Sequence, residues 1–279
     1  SLMSSSIKQQ IRDRSEYIGF IEKCFANAHQ CYVVHYSCES FYDAVGGKST
    51  RITSIAVRNL GSGQTDHWAL NRSAELLGLD VSDEKNLDIL EHHLLDNYFT
   101  FLKRYAQCTF LHWNMRDNNY GFQALQHRFS VLGGEPFILT DDRKLDLARA
   151  AVSIYGRSYI GHTAKSGRAG RMLALVEKNG IADKDVLAGA EEAEAYVKGK
   201  YRELEMSTLR KVDILCNIAE RIHDRTLKTN NKWFWPRSWH PYWLTMRLKE
   251  HPLVTGLIVL GIFLGVITKG LDLYAWWQQ

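Results

Sequence analysis

The chain has 279 residues, which is enough for one substantial hydrophobic core with additional helices. Its formal net charge is only +4 at pH 7, so overall charge does not by itself indicate a nucleic-acid partner. The five cysteines include no Cys-x-x-Cys pair, which argues against a disulfide framework and against a zinc cluster, and fits a reducing cytosol.

The first two thirds of the chain predict strands followed by alternating strands and helices. Strands are predicted from β-branched or alternating patterns at residues 31–34, 51–59, 66–70 and 108–113. Helices are predicted from apolar periodicity at residues 15–28, 83–106, 119–132, 143–155 and 165–178. Gly180 is expected to end the last of these helices. This order predicts an N-terminal helix within residues 1–29 and a mixed α/β sheet domain over residues 30–183.

The remaining chain predicts a helical region and a membrane anchor. Residues 184–235 are mostly strong helix formers, which predicts one long helix or a helical pair that acts as a linker or an oligomerisation region. Residues 236–279 are predicted to form a juxtamembrane elbow and one transmembrane helix, because residues 252–268 read PLVTGLIVLGIFLGVIT and tryptophans flank them. Basic residues before this run predict a single pass through the inner membrane with a cytoplasmic N-terminal domain. A buried core helix is the alternative interpretation.

Four residues near the apolar run suggest an oligomer. Gly261 and Gly265 have the spacing that lets transmembrane helices approach closely. Lys269 and Asp272 would share one helix face. These two charges fit either a lysine that snorkels to the membrane boundary or a charged ring at the mouth of an oligomeric pore.

Four segments of the sheet domain occur in an informative order: CYVVHYSCES, RITSIAV, LHWNMRDNN and HTAKSGRAGRMLAL. In these segments, residues 30–180 resemble the DEDD-type 3′–5′ exonucleases, a branch of the RNase H-like fold. The resemblance implies an RNase H-like mixed sheet flanked by helices. It also implies an ancestral site in which carboxylates hold two metal ions for hydrolysis.

Several residues depart from that family's pattern. The Asp-x-Glu pair of the first strand falls on Ser37 and Glu39, and Asp117 stands for the middle aspartate. His162 matches the position of the general base, but Gly167 stands where an aspartate follows it in the family. The catalytic remnants are therefore Glu39, Asp117 and His162. Two carboxylates do not readily hold two divalent cations, so we expect no catalysis, no metal and no cofactor.

Basic and aromatic residues around the same motifs predict binding of a single nucleic-acid strand instead. Cationic grooves hold the phosphates of a single strand, and aromatic rings stack on its bases. The predicted contact residues are Tyr36, Ser37, Phe41, Tyr42, Trp113, Asn114, Arg116, Arg157, His162, Lys165, Arg168 and Arg171. A solvated helix face is the alternative interpretation of the basic residues.

The run Glu91-His92-His93 consists of residue types that bind metal ions. Adjacent histidines on a helix point in different directions, and no His-x-x-x-His pair supports them. We therefore expect these three to be surface residues.

The combination of this domain with a C-terminal apolar run resembles the transmembrane effectors of the Hailong anti-phage defence system. That resemblance implies a homo-oligomer that holds a short single-stranded DNA made by a partner nucleotidyltransferase. Loss of the oligonucleotide during infection would open a membrane channel, and membrane depolarisation and growth arrest would follow.

Two other functions remain open from the sequence. The first is an active membrane-tethered exonuclease that uses Glu39, Asp117, His162 and a further acid. That acid would be one of Asp43, Asp141 and Asp142. The second is a membrane-anchored adaptor that recruits other proteins through its helical region.

Overall fold

The computed structural model describes residues 2–39 and 49–231, with side chains from residue 9 onward. The chain divides into two compact units, one of Asp13–Phe234 and one of Ser1–Arg12 together with Trp235–Gln279. The sheet and its covering helices belong to the larger unit.

Five strands and eight helices make up the described chain. The strands are β1 (Cys31–Cys38), β2 (Ile52–Asn59), β3 (Thr65–Ala69), β4 (Thr109–His112) and β5 (Lys144–Asp146). The helices are α1 (Leu2–Ala26), α2 (Leu70–Leu77), α3 (Glu84–Arg104), α4 (Phe122–Val131), α5 (Leu147–Tyr155), α6 (Arg171–Asn179), α7 (Gly189–Val197) and α8 (Tyr201–His223).

The strands form one mixed sheet in the order β3-β2-β1-β4-β5. The pairs β1–β2 and β2–β3 are antiparallel, whereas β1–β4 and β4–β5 are parallel. The central strand β1 is buried along its whole length, which explains its nearly continuous apolar sequence. Because β1, β4 and β5 are parallel, their carboxyl ends meet at one edge of the sheet.

Helices cover both faces of the sheet. Successive residues of a strand point to opposite faces, and accordingly Val33 belongs to one buried cluster and Val34 to the other. Helices α1, α5, α6 and most of α8 supply the first cluster, and α2, α3 and α4 supply most of the second. The mixed α/β sheet flanked by helices agrees with the prediction for this part of the chain.

The predicted helical linker is instead part of the sheet domain. It is a helical pair, α7 and α8, and α8 lies across β1 and β2. Val212, Leu215 and Ile218 of α8 are fully buried in the first cluster. Burial of a whole helix face stabilises the fold by removing apolar surface from water, so α8 is a structural element of the domain.

Two local predictions are corrected. Residues 143–155 are not one helix, because Lys144–Asp146 pairs with β4 as strand β5 and the Asp146 side chain then caps α5. Helix α6 begins at Arg171 rather than at residue 165. The expectation for Gly180 is confirmed, since it ends α6 in the left-handed conformation with φ 61° and ψ 36°.

The membrane helix in the predicted fold class is also corrected. Across the described ranges, no helix combines the length and the apolar character that crossing a membrane requires. The fold class is therefore a mixed α/β sheet with flanking helices, and the predicted inner-membrane location is not supported. The run at residues 252–268 lies outside the described residues, as do Gly261, Gly265, Lys269 and Asp272.

Candidate nucleic-acid interface

Ser37, which the sequence resemblance predicts at the position of a first carboxylate, lies in a closed polar cluster. Its hydroxyl donates a hydrogen bond to Glu192 Oε1 at 2.8 Å and lies 2.8 Å from Thr208 Oγ1. Lys211 Nζ is 2.6 Å from the same Glu192 oxygen. All four residues are at most 5% exposed, so side chains from α7 and α8 fill the space beside Ser37.

Further polar groups extend this buried cluster. Ser54 Oγ lies 2.6 Å from Thr208 Oγ1, and the Ser207 hydroxyl donates to Glu192 Oε1 at 3.3 Å. Burial, with the nearby Lys211 charge, holds the pKa of His35 well below its ordinary value, so this imidazole is neutral at pH 7.

Sequence reasoning missed the cluster. The available signal was a set of polar residues, Ser207, Thr208 and Lys211, on the buried face of α8.

The two remnant carboxylates bind to nearby backbone. Glu39 Oε2 accepts a hydrogen bond from the Arg51 N–H at 3.3 Å, across the β1–β2 pair. Asp117 is exposed, and its Oδ1 accepts from the Asn119 N–H at 2.8 Å. In the described ranges, no three His, Cys, Asp or Glu side chains converge as a metal site would need.

The further acids considered for an exonuclease have other contacts. Asp141 Oδ1 lies 2.8 Å from Lys144 Nζ, and Asp142 Oδ2 lies 3.5 Å from Arg143 Nε. Asp43 lies outside the described residues.

A buried carboxylate that sequence reasoning did not select lies at the end of β5. Asp146 Oδ1 accepts hydrogen bonds from the backbone N–H groups of Asn114 at 3.0 Å and Ala148 at 2.9 Å. Its other oxygen lies 2.5 Å from Arg116 Nε. Asp146 therefore joins the start of α5 to the loop after β4, and Arg116 neutralises its charge.

Tyr36, the one described residue among the aromatic residues predicted around β1, offers no exposed stacking face. Tyr36 is fully buried, its ring stacks on Tyr120 with centroids 4.5 Å apart, and its hydroxyl accepts from the Gly121 N–H at 2.7 Å. Ser37 is fully buried as well. Phe41 and Tyr42 lie outside the described residues.

The loop after β4 brings three of the predicted contact residues together. Trp113 is half-buried against the first core cluster, whereas Asn114 and Arg116 are exposed. Asn114 has a left-handed backbone conformation with φ 58°, which asparagine tolerates better than most residues. Its side-chain oxygen accepts from Arg116 Nη2 at 2.7 Å, so the arginine is oriented by both Asn114 and Asp146.

The segment before α6 forms a compact hairpin loop. Thr163 pairs with Ala169, the Gly170 N–H donates to the His162 carbonyl at 2.7 Å, and the Ala164 N–H donates to the Arg168 carbonyl at 2.8 Å. This loop occupies residues that the sequence assigned to the start of a helix. It presents its side chains at the amino end of α6.

We use the name basic edge for four basic residues of this region: Arg157, His162, Lys165 and Arg171. Arg171 Nη2 donates to the Arg157 carbonyl at 3.1 Å and lies 3.0 Å from His162 Nε2. Arg157 and Lys165 are exposed, and no carboxylate within the described ranges pairs with either of them or with Arg171. Arg168 differs, because it forms an ion pair with Asp183.

Tyr159 connects the basic edge with Asp146. Its ring is fully buried beneath the Arg171 guanidinium, whose carbon lies 5.4 Å from the ring centroid. Burial raises the pKa of Tyr159 to about 12, while the Arg171 charge acts to lower it and the Asp146 charge to raise it. Tyr159 is therefore a neutral aromatic support between the two.

The prediction that Glu91, His92 and His93 are surface residues is wrong for Glu91. This carboxylate is fully buried, and it accepts hydrogen bonds from Arg128 Nη2 at 2.6 Å and from the Ile52 N–H at 2.8 Å. Arg51 Nη1 lies 3.0 Å away as a second cation. The network joins α3, α4 and β2, so Glu91 is a structural ion-pair residue.

Comparison with protein-family models, with curated proteins and with solved structures finds no match for this chain.

Proposed function

We propose that the sheet domain is a catalytically degenerate, RNase H-like domain of the DEDD exonuclease type, and that it binds single-stranded DNA without cutting it. The fold supports this proposal. The sheet is mixed, in the order β3-β2-β1-β4-β5, and helices flank it, which is compatible with the RNase H-like mixed sheet that the resemblance implies. The motif residues also follow the expected strands, since Glu39 follows β1 and His112 ends β4.

The environment of Ser37 supports loss of catalysis. A two-metal site needs clustered carboxylates that are open to the substrate. Here the first position holds a serine that is fully buried beneath α8, and the Lys211 ammonium lies close by on Glu192.

The observation that carries the proposal is the unpaired charge of the basic edge. Arg157, Lys165 and Arg171 have no carboxylate partner within the described ranges, so their charges remain available to an anion. Surface cations without counter-ions attract the phosphates of a nucleic-acid strand. Half-buried Trp113, in the loop that also carries Arg116, supplies an aromatic ring of the kind on which bases stack.

The test compares a double variant of the basic edge with a matched control. Arg157→Met with Lys165→Met removes two unpaired cations, and Arg104→Met with Lys103→Met removes two exposed cations from the last turn of α3. We expect the first variant to bind a fluorescent single-stranded oligonucleotide roughly tenfold or more weakly than the wild type, and the control to bind normally. Equal binding by both variants would remove the basic edge as the binding surface.

We extend the proposal to anti-phage defence on the resemblance to Hailong effectors. In that role an oligomer of this chain holds an oligonucleotide made by a partner nucleotidyltransferase, and the presence of the oligonucleotide controls the defence response. Purification of the protein from cells with an intact or an inactivated nucleotidyltransferase tests this role. Short single-stranded DNA should accompany the protein only in the first case.

A further inference from the structure

A second site-like feature lies beside the end of β5 and is separate from the basic edge. It is a cavity of about 400 Å³ between α1, the loop after β4, β5 and α5. Its walls include Tyr17, Phe20, Arg116, Lys144, Asp146 and Arg149. The volume is within the range of about 300–1,000 Å³ that is usual for small-molecule sites.

The charges around the cavity leave one cation available. Lys144 pairs with Asp141 at 2.8 Å, and Arg116 pairs with Asp146 at 2.5 Å. Arg149 is exposed, and within the described ranges no carboxylate forms an ion pair with its guanidinium. Its planar fork of N–H donors matches the oxygens of a phosphate group.

Part of the cavity wall is aromatic. The rings of Tyr17 and Phe20 lie edge to face with centroids 6.1 Å apart, and Phe20 is 44% exposed. An exposed phenylalanine is costly in water, and a flat apolar ligand that covers it gains stacking energy. An aromatic wall with one unpaired arginine suits a ligand that has a ring at one end and a phosphate at the other.

The charge balance of the lining restricts the ligand further. Burial lowers the pKa of His112 to about 4, so this lining residue adds no positive charge at pH 7. Three cations and two carboxylates therefore leave the lining with one net positive charge. One net positive charge favours a ligand with a single phosphate group. Most of the negative charges of a triphosphate would have no cation to pair with.

We propose that this cavity binds a nucleoside monophosphate, with the phosphate at Arg149 and the base against Tyr17 and Phe20. The same chemistry is present in a free nucleotide and in the phosphorylated end of a DNA strand. The site goes beyond the basic edge, because none of the four residues of that edge lines the cavity. Binding of a free nucleotide at this site does not depend on the proposed function. Binding of the phosphorylated end of a DNA strand does.

The test is titration of deoxyadenosine monophosphate, deoxyadenosine and inorganic phosphate into the purified full chain by calorimetry. The variants are Arg149→Met and Phe20→Leu, and Arg104→Met on α3 is the matched control, because Arg104 is also an exposed arginine. We expect the nucleotide to bind the wild type and the control at least tenfold more tightly than deoxyadenosine or phosphate alone. Each cavity variant should lose about tenfold in affinity for the nucleotide, since a charge-assisted hydrogen bond or a base stack contributes on that scale.

Nucleotide binding that is unchanged in Arg149→Met, or phosphate binding as tight as nucleotide binding, would overturn the assignment. Failure of every nucleotide to bind would do the same. Competition with a bound oligonucleotide then identifies which ligand the cavity takes. If the mononucleotide and the oligonucleotide displace each other, the cavity holds the end of the strand. If both bind at the same time, the cavity holds a free nucleotide. Nucleotide binding that depends on Arg149 in a protein that binds no oligonucleotide would retain this site and reject the proposed function.

Discussion

The Lys211 ammonium lies 2.6 Å from Glu192 Oε1, and both residues are at least 95% buried. This ion pair joins α8 to α7 directly beneath Ser37, the residue that the proposed resemblance aligns with a first metal-binding carboxylate. The Lys211–Glu192 pair stabilises the packing of α7 and α8 over β1. Together with Thr208, the pair fills the space beside Ser37.

Loss of the Lys211 charge should destabilise the domain strongly. Lys211→Met leaves the buried Glu192 carboxylate without a cation, and such a change costs about 3–5 kcal/mol of unfolding free energy. Urea denaturation measures the loss. The exposed Lys178→Met is the control and should change stability by less than about 0.5 kcal/mol.

The double variant Lys211→Met with Glu192→Leu separates the cost of an unpaired charge from the loss of packing. Because it removes both charges, we expect it to be more stable than Lys211→Met alone. A double variant that is less stable than the single one would show that the ion pair is not the main contribution.

Glu205 on α8 should make the stability depend on acid pH. Burial acts to raise its pKa, but hydrogen bonds from His67, Asn71 and Arg72 outweigh burial and lower the pKa from 4.5 to about 2. The folded-state pKa is below the unfolded value, so this stabilisation is present above pH 4.5 and is lost as the pH falls towards 2.

The corresponding measurement is urea denaturation of the wild type and of Glu205→Gln at pH 7 and pH 3. The wild type should lose about 2 kcal/mol more than the variant over this interval. Glu203→Gln, at an exposed position on the same helix, should behave like the wild type. Identical pH dependence in all three proteins would contradict the role of Glu205.

Tyr36 should affect stability but not DNA binding. Tyr36→Phe removes the acceptor of the Gly121 N–H, and a buried donor without a partner costs about 1–3 kcal/mol. Tyr98→Phe is the matched control, because the buried Tyr98 hydroxyl has no hydrogen-bond partner within the described ranges. A large loss of oligonucleotide affinity in Tyr36→Phe at unchanged stability would show that the ring contacts the strand.

Salt dependence should count the phosphate contacts of the basic edge. The logarithm of the affinity for a single strand falls with the logarithm of the salt concentration, by about 0.7 for each phosphate neutralised. Lys165→Met should therefore reduce the slope by about 0.7, and Lys103→Met, on the last turn of α3, should leave it unchanged. Fluorescence anisotropy at several salt concentrations measures both slopes.

The sequence predicted the sheet better than the site. β2 and α3 were located within one or two residues at each end, because alternation in the one and apolar periodicity in the other are strong local signals. β5 was missed because it has three residues and depends on pairing with β4, which local sequence does not record.

Burial explains the errors among the predicted contact residues. Tyr36 and Ser37 have the composition of a binding site, but Tyr36 packs in the cluster that α3 and α4 supply, and side chains of α7 and α8 cover Ser37. Both contacts depend on long-range packing. Glu91 was assigned to the surface together with the two adjacent histidines, once a metal motif had been rejected. Its partners Arg51 and Arg128 are distant in sequence, so the ion pairs that allow its burial could not be predicted locally. The cations of the hairpin loop before α6 could be selected because an acid-free segment is visible in the sequence itself; their role in binding stays a prediction.

The most direct test of the account is to incubate the purified chain with an end-labelled single-stranded oligonucleotide, with and without Mg²⁺, and to measure both binding and the length of the DNA. A binding domain that has lost catalysis should retain the oligonucleotide at full length under both conditions. Its affinity should fall when Arg157 and Lys165 are replaced by Met. Shortening of the DNA that requires Mg²⁺ and is lost in Glu39→Gln would contradict the account, as would the absence of any binding.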